Sequence, residues 1–110
     1  HALGVDASRE MLALARARLS ERGLAERAAV RLADMYRLPI ADASQDAVTM
    51  QMVLHYAEDP AAALAEAARV LRPGGLLLLA DLAPHGRAEL LDRLAHRWPG
   101  FDDAAIAGWL

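Results

Sequence analysis

Segments patterned as buried strands alternate with segments patterned as amphipathic helices along the whole chain. The strand patterns are His1 to Val5, Ala28 to Ala33, Asp46 to Met52 and Leu76 to Ala80. Helix patterns follow Ser8, Asp59 and Pro84, the last from about Arg87 to Arg97, and a further one begins at Asp102. Strict alternation of this kind predicts an α/β protein with a doubly wound, open sheet.

Residues with known end preferences mark the limits of these elements. Ser8 and Asp59 are N-cap candidates, and Pro60 stands at the first position of its helix. Gly23 is a C-terminal stop for the first helix, and residues 72–75 (RPGG) are predicted to end the second. The apolar run that follows, Leu76 to Ala80, is typical of a strand that is buried on both faces of a parallel sheet.

The composition restricts the class of protein. A chain of 110 residues with 55% hydrophobic and 25% charged residues forms one compact globular unit at most, which predicts no more than a single domain over 1–110. The absence of cysteine excludes disulfides, thiolate metal sites and cysteine nucleophiles. A net charge of -3 with scattered arginines argues against nucleic-acid binding by this segment.

Location and metal content are inferred from what the sequence lacks. No stretch approaches the roughly 20 apolar residues of a membrane-spanning helix, and the start has no basic-then-apolar signal pattern. We therefore expect a cytoplasmic protein without a membrane partner. His85 and His96 have no third well-spaced donor, so we expect no metal site. Basic residues that are all arginine, with abundant alanine, suggest a GC-rich bacterial source.

Acidic residues end the first two predicted strands, and ligands of open α/β sheets bind beyond the carboxyl ends of the strands. Asp6 ends the first strand, where a carboxylate can accept hydrogen bonds from both hydroxyls of a ribose. Asp34 ends the second strand and could accept from an adenine amine while Met35 covers the ring. The alternatives are a helix-entry residue for Asp6 and an ordinary turn aspartate for Asp34. Together the two acids favour a nucleoside ligand.

Three further polar residues lie at or after the ends of the third and fourth predicted strands. Gln51 could hold polar groups of a cofactor or substrate, or could simply be solvated. His55 titrates near neutrality and is a candidate base, although a lone histidine is more often structural. Asp81 ends the fourth strand and serves either a ligand or a turn.

The order of these signals resembles that of class I S-adenosylmethionine-dependent methyltransferases. Residues 3–12 (LGVDASREML) resemble the acid motif after the family's second strand, and residues 31–35 with 38–39 resemble its adenine motif. Residues 45–48, 53–56 and 59–60 resemble its fourth strand and following helix, and residues 69–76 (RVLRPGGL) its turn into the fifth strand. Four motifs in this order cover nearly the whole chain.

Within that family the chain is similar to the small-molecule branch that contains the quinone-biosynthesis C-methyltransferases. Residues 81–85, 95–97, 100–101 and 108–110 also resemble the methyltransferase half of fused ArsR-type regulators. That narrower resemblance implies a winged-helix DNA-binding domain upstream of this segment.

The resemblance implies S-adenosylmethionine as cofactor and a small-molecule methyl acceptor. The cofactor-binding residues that it implies are Asp6, Ala7, Asp34, Met35 and Gln51. Asp6 would bind the ribose hydroxyls, Asp34 the adenine amine, and Gln51 would lie beside the methionine end. His55 is the candidate catalytic base, needed only if the acceptor must lose a proton.

The family's first strand and glycine-rich loop have no counterpart in these residues, and neither do its C-terminal strands. We therefore expect an incomplete Rossmann-like sheet with two exposed strand edges. The isolated 110-residue chain is expected to form a homodimer or exchange strands, to bind cofactor poorly and to be inactive.

Two other functions share parts of this pattern. The first is a cofactor-binding sensor module, attached to a DNA-binding regulator, that has lost methyl transfer. The second is part of a nicotinamide-dinucleotide domain, which also has an acid after its second strand. The Asp34-Met35 pair and residues 73–75 (PGG) favour the methyltransferase over the dinucleotide domain.

Overall fold

A computed structural model describes residues 1–81 together with 104, 107 and 108. The chain divides into two compact units, His1–Pro39 and Ile40–Leu110, which are described separately below. Residues 104, 107 and 108 are helical, in the region where a last helix is predicted. The helix predicted over 87–97 lies outside the described residues. So do the segments beyond residue 81 that resemble the fused regulators, apart from residue 108.

The first unit is a strand, a helix and a second strand in the predicted order. These elements are β1 (Ala2–Asp6), α1 (Arg9–Glu21) and β2 (Ala28–Leu32). The strands pair in parallel, with Ala2 opposite Ala28 and Asp6 opposite Leu32. The Ser8 hydroxyl accepts the Met11 N–H at 3.3 Å, which confirms the predicted N-cap.

The second unit repeats this strand, helix and strand arrangement. Its elements are β3 (Gln45–Gln51), a 3-10 turn (Leu54–Tyr56), α2 (Pro60–Val70) and β4 (Leu71–Ala80). β3 and β4 are parallel, and Asp59 caps α2 by accepting the Ala62 N–H at 3.1 Å, as predicted. Parallel strands joined through helices confirm the α/β prediction. Each described sheet has two strands, so within the described residues β1 and β3 pair on one side only.

Arg69 fixes the segment before β3 to the end of α2. Its guanidinium donates to the carboxylate of Glu66 on the same helix, to the carboxylate of Asp42 and to the Ile40 carbonyl. The hydrogen bonds with Glu66 and then Asp42 raise the Arg69 pKa further above its ordinary value. This residue therefore serves the fold at the amino end of β3, away from the strand ends where ligands bind.

The junction between α2 and β4 differs from the prediction. The helix ends at Val70, before residues 72–75, and β4 already begins at Leu71, opposite Gln45. Regular pairing resumes with Ala47 opposite Leu76, so a bulge takes up the intervening residues 72–75. Residues 72–75 do interrupt regular structure, but they interrupt β4 instead of ending α2. The reason is that Leu71, which precedes them, is already extended.

The prediction that the run Leu76 to Ala80 is buried on both faces is wrong for the described structure. Leu76 and Leu78 are 66% and 54% exposed, whereas Leu77 and Leu79 on the other face are less exposed. The physical reason is that successive side chains of a strand point to opposite faces of the sheet, and α2 packs against one of the two faces. The core of the unit comes instead from Met50, the 3-10 turn and the inner side of α2.

Gly75 has no room for a side chain, and this gives a prediction about stability. A Cβ at this position would lie 2.9 Å from the Arg72 carbonyl oxygen and 3.0 Å from Leu71 Cδ2. We expect Gly75→Ala to lower the free energy of unfolding by about 1–3 kcal/mol, as overpacking does. Gly74→Ala is the comparison: its added Cβ meets nothing within 4 Å, and its φ of 79° should cost about 1–2 kcal/mol. Urea denaturation of the complete protein measures both, and a Gly75→Ala variant as stable as wild type would contradict the tight bulge.

The described helices are short. α1 has 13 residues and α2 has 11, while a membrane-spanning helix needs roughly 20. Among the residues that the structure describes, no helix is long and apolar enough to cross a membrane.

Candidate functional site

Asp6 is held at the carboxyl end of β1 by its own backbone and side chain. Its carbonyl oxygen accepts the Ala33 N–H at 3.0 Å, and Oδ1 accepts the Ser8 N–H at 2.8 Å. The helix-entry role considered for Asp6 is therefore real. Within residues 1–81, however, no partner occupies Oδ2, so the same carboxylate can still accept a ligand hydroxyl.

Asp34 stands two residues beyond β2 and opens a tight turn. Its carbonyl oxygen accepts the Arg37 N–H at 3.0 Å, and Oδ1 accepts the Tyr36 N–H at 2.9 Å. The residue is exposed, and Met35 is half-buried beside it. The Met35 N–H donates to no acceptor in the described part of the chain, so both a carboxylate and a backbone donor are available here.

The first unit brings Asp6 and Asp34 to one edge of its sheet. β1 and β2 are neighbours and run in parallel with Asp6 opposite Leu32, so the residues that follow each strand lie at the same end. Ala7 continues from Asp6 and is exposed. Four of the five predicted cofactor-binding residues thus belong to this unit, while Gln51 belongs to the second.

In the second unit, Gln51 is the last residue of β3 and is exposed. It pairs with Ala80 at the carboxyl end of β4, and the Met52 N–H donates to the Ala80 carbonyl at 2.7 Å. Met52 then has a φ of 55°, a left-handed conformation that costs about 1–2 kcal/mol for a residue with a side chain. The chain therefore turns sharply just after Gln51, at the end of the sheet where ligands bind.

His55 and Asp81 form a buried pair in this unit. Nδ1 of His55 lies 2.6 Å from Oδ1 of Asp81, and the two side chains are 1% and 2% exposed. Oδ2 of Asp81 accepts the Leu54 N–H at 2.9 Å. Sequence reasoning considered both residues but did not pair them, because 26 positions separate them. The available signal was that each follows one of two neighbouring parallel strands.

Tyr56 is a neighbour of this pair that the sequence reasoning missed. Its ring centroid lies 4.3 Å from that of His55 with the planes inclined by 39°. Tyr56 is 43% exposed, in contrast to the buried His55. The turn after β3 therefore carries an exposed aromatic ring next to the buried histidine.

A metal centre does not form among the residues that the structure describes. No three histidine, aspartate or glutamate side chains there lie close enough together to hold an ion. The His55 and Asp81 pair has two such groups, which is fewer than a protein metal site uses.

The comparison with protein families decides which of the nucleoside-binding folds this is. The family described as methyltransferase domain matches residues 1–79 of the 110, a range that contains Asp6, Asp34 and Gln51. The chain belongs to the methyltransferase domain family. The resemblance to class I S-adenosylmethionine-dependent methyltransferases is thereby confirmed, and S-adenosylmethionine is the cofactor of that family.

Curated relatives include methyltransferases that are named for different acceptors. A malonyl-[acyl-carrier protein] O-methyltransferase of Hahella chejuensis is 45% identical over 71 residues, which are 64% of this chain and 24% of the relative. A ubiquinone/menaquinone biosynthesis C-methyltransferase of Desulfotalea psychrophila is 37% identical over 81 residues, or 74% of this chain and 31% of the relative. Similarity to the quinone-biosynthesis enzymes is therefore confirmed.

Solved structures show the same fold. The YcgJ protein of Bacillus subtilis superimposes with a TM-score of 0.84 and 28% identity, over 97% of this chain and 49% of that protein. The Rossmann-like methyltransferase fold is thereby confirmed. The chain spans less than a third of the length of these curated relatives and about half of the solved protein.

The residues present in the first unit fit the adenosine end of S-adenosylmethionine. Asp6 has an acceptor oxygen without a described partner, which suits a ribose hydroxyl. Asp34 is exposed and anionic, which suits the exocyclic amine of adenine, and the Met35 N–H suits a ring nitrogen. The donors and acceptors that adenosine requires are thus available at one edge of one sheet.

Proposed function

We propose that the protein carrying this chain transfers a methyl group from S-adenosylmethionine to a small-molecule acceptor. The observation that carries the proposal is the pair Asp6 and Asp34, which lie at and just beyond the carboxyl ends of adjacent parallel strands with carboxylate oxygens available to a nucleoside. Membership in the methyltransferase family supplies the reaction class.

The proposed roles of the residues are binding and orientation. S-adenosylmethionine, when bound, supplies a methyl group that its sulfonium has already activated. Asp6 and Asp34 hold the nucleoside, Ala7 and Met35 line it, and Gln51 lies beside the methionine end. Holding the donor and the acceptor in line supplies most of the rate enhancement in such a displacement. A base is needed only when the acceptor must lose a proton.

His55 as that base stays a prediction, and its surroundings oppose it. The side chain is 1% exposed and its Nδ1 is bonded to Asp81. A general base must come within hydrogen-bond distance of the acceptor proton. Burial of this degree favours a different role, which is argued in the next subsection.

The acceptor class is proposed from charge and relatives together. A relative named for quinone-biosynthesis C-methylation supports a small-molecule acceptor. Another relative is named for O-methylation of malonyl-[acyl-carrier protein], an acceptor carried on a protein, and represents the alternative. The net charge of -3 argues against nucleic-acid binding by this segment. Incubating the complete protein with methyl-tritiated S-adenosylmethionine and a fractionated bacterial extract tests this. Label in the small-molecule fraction supports the proposal, and label in RNA or protein contradicts the acceptor class.

The sensor interpretation predicts a different result in the same assay. A sensor would bind S-adenosylhomocysteine but form none from S-adenosylmethionine with any fraction, whereas an enzyme forms it in proportion to label transferred. Membership in the methyltransferase family argues against the nicotinamide-dinucleotide interpretation. The upstream winged-helix domain and the cytoplasmic location stay predictions. So do two expectations for the isolated 110-residue chain: that it dimerises or exchanges strands, and that it is inactive.

Asp34 gives a prediction about base recognition. We expect Asp34→Ala to weaken S-adenosylhomocysteine binding about tenfold, because a hydrogen bond to a charged group contributes about 1.5–3 kcal/mol and Asp34 is exposed. S-inosylhomocysteine, which has an oxygen in place of the adenine amine, is the control ligand. Wild type should prefer the adenine ligand and Asp34→Ala should bind both alike. An unchanged preference in the variant, measured by calorimetry, would contradict the assignment.

A further inference from the structure

We propose that His55 and Asp81 are a positioning pair, which holds the turn after β3 so that Gln51 meets the methionine end of the cofactor. The proposal rests on the proposed function, because it assigns a role within that cofactor site. Neither residue is proposed to touch the cofactor. Both act through the backbone of the segment from Gln51 to Leu54.

The hydrogen bonds of Asp81 show what it holds. Its two carboxylate oxygens accept from consecutive residues of the turn, Oδ1 from Nδ1 of His55 at 2.6 Å and Oδ2 from the Leu54 N–H at 2.9 Å. Asp81 follows directly on β4, whose last residue Ala80 pairs with Gln51. Asp81 therefore holds the turn through two hydrogen bonds, to the residues three and four positions after the end of β3.

The turn needs such a hold because part of it is strained. Met52 lies in the left-handed region with a φ of 55° and is 45% exposed, so little packing of its own side chain favours that conformation. Strained residues persist where the surrounding structure over-determines them, and they cluster at functional sites. Here the Met52 N–H bond to Ala80 and the two bonds to Asp81 fix both sides of the strained residue.

Burial of the pair favours positioning over proton transfer. His55 is 1% exposed and Asp81 2%. Removing a histidine and a carboxylate from water is unfavourable, and an apolar pair of the same volume would often serve stability as well or better. Retained buried polar pairs are best attested as devices that select one arrangement. In this unit the selected arrangement is the backbone between Gln51 and His55.

The test exploits two conservative substitutions of His55 that separate positioning from direct contact. The side-chain amide of asparagine can place its nitrogen near the position of Nδ1, where it can donate to Asp81. The longer glutamine places its amide near the position of Nε2. His55→Asn should therefore keep the hydrogen bond between residue 55 and Asp81, and His55→Gln should lose it.

Calorimetric titrations with S-adenosylhomocysteine and with adenosine, on the complete protein and both variants, measure the effect. The two probes differ by the homocysteine part, which is where Gln51 is proposed to act. We expect His55→Gln to weaken S-adenosylhomocysteine binding about tenfold, the value of one charge-assisted hydrogen bond, while its adenosine affinity stays within about twofold. His55→Asn should bind both probes within about threefold of wild type.

Each other outcome has a distinct meaning. If wild type binds neither probe, the proposed function fails, and this inference fails with it. If wild type binds both and His55→Gln matches it, the positioning role is wrong. Equal loss of both probes in His55→Gln shows a general structural role and also overturns it. Strong S-adenosylhomocysteine binding by His55→Gln together with weak binding by His55→Asn would indicate direct contact through Nε2 instead.

Discussion

Asp6→Ala is expected to weaken S-adenosylhomocysteine binding by a factor of about 100 or more. The Asp6 carboxylate has an oxygen open at the carboxyl end of β1, where a ribose would present two hydroxyls. Each charge-assisted hydrogen bond contributes about 1.5–3 kcal/mol, so two lost bonds amount to about 3 kcal/mol and a hundredfold change in affinity. Isothermal titration of the complete protein measures this change.

Two further variants make the Asp6 result specific. Glu26→Ala removes an exposed carboxylate from the same unit, but just before β2, at the opposite end of the sheet. Its affinity should equal that of wild type. Asp6→Asn keeps an oxygen for the Ser8 N–H and loses the charge, so we expect an intermediate affinity. Equal affinities for Asp6→Ala and Glu26→Ala would contradict the ribose assignment.

Leu64→Ala is expected to cause a large loss of stability in the second unit. Leu64 is 1% exposed on α2, and Leu54 and Val70 of the same unit are 0% and 1% exposed. Removing a large buried side chain costs the transfer free energy of its atoms and leaves a cavity. Such substitutions lower the free energy of unfolding by about 2–5 kcal/mol. Urea denaturation of the complete protein, followed by circular dichroism, gives the value.

The matched control is the same substitution on the other helix. Leu14 on α1 is 46% exposed, so Leu14→Ala removes much less buried surface and should cost about 1 kcal/mol or less. Equal losses in the two variants would show that Leu64 does not lie at the centre of its unit's core. A loss near zero for Leu64→Ala would contradict the packing of α2 altogether.

Elements with local chemical signals could be predicted from the sequence. Ser8 and Asp59 cap their helices through short-range hydrogen bonds, and Gly23 has the positive φ expected after a helix. These interactions depend on residues within three or four positions of each other, so the order of residue types determines them. The strand ends at Asp6 and Gln51 followed from the same local patterns and differ from the structure by one residue at most.

Features that depend on distant residues could not be predicted in this way. The Asp81 side chain meets His55 across 26 positions, and nothing within either local segment encodes that meeting. The end of α2 was placed too late because the pairing of Leu71 with Gln45, not the following glycines, ends the helix. Exposure of Leu76 and Leu78 depends on which faces are covered, which an apolar run alone does not determine.

In the candidate site, too, features with a local sequence pattern could be predicted and features of the folded turn could not. The positions of Asp6 and Asp34 after adjacent parallel strands followed from the sequence pattern, while their roles as cofactor ligands stay predictions. The family itself is confirmed by the match over residues 1–79. Tyr56 was missed because its exposure beside a buried histidine is a property of the folded turn. The identity of the acceptor does not follow from membership of the family, since similar proteins are named for different methyl acceptors.

The most direct measurement of the central claim is calorimetric titration of S-adenosylhomocysteine into the complete wild-type protein. A cofactor site built on Asp6 and Asp34 predicts saturable binding of one equivalent with a dissociation constant on the order of micromolar, a binding free energy of about 8 kcal/mol. No saturable heat up to roughly millimolar ligand would contradict the claim, and the strand-end carboxylates would then belong to a fold that does not bind this cofactor.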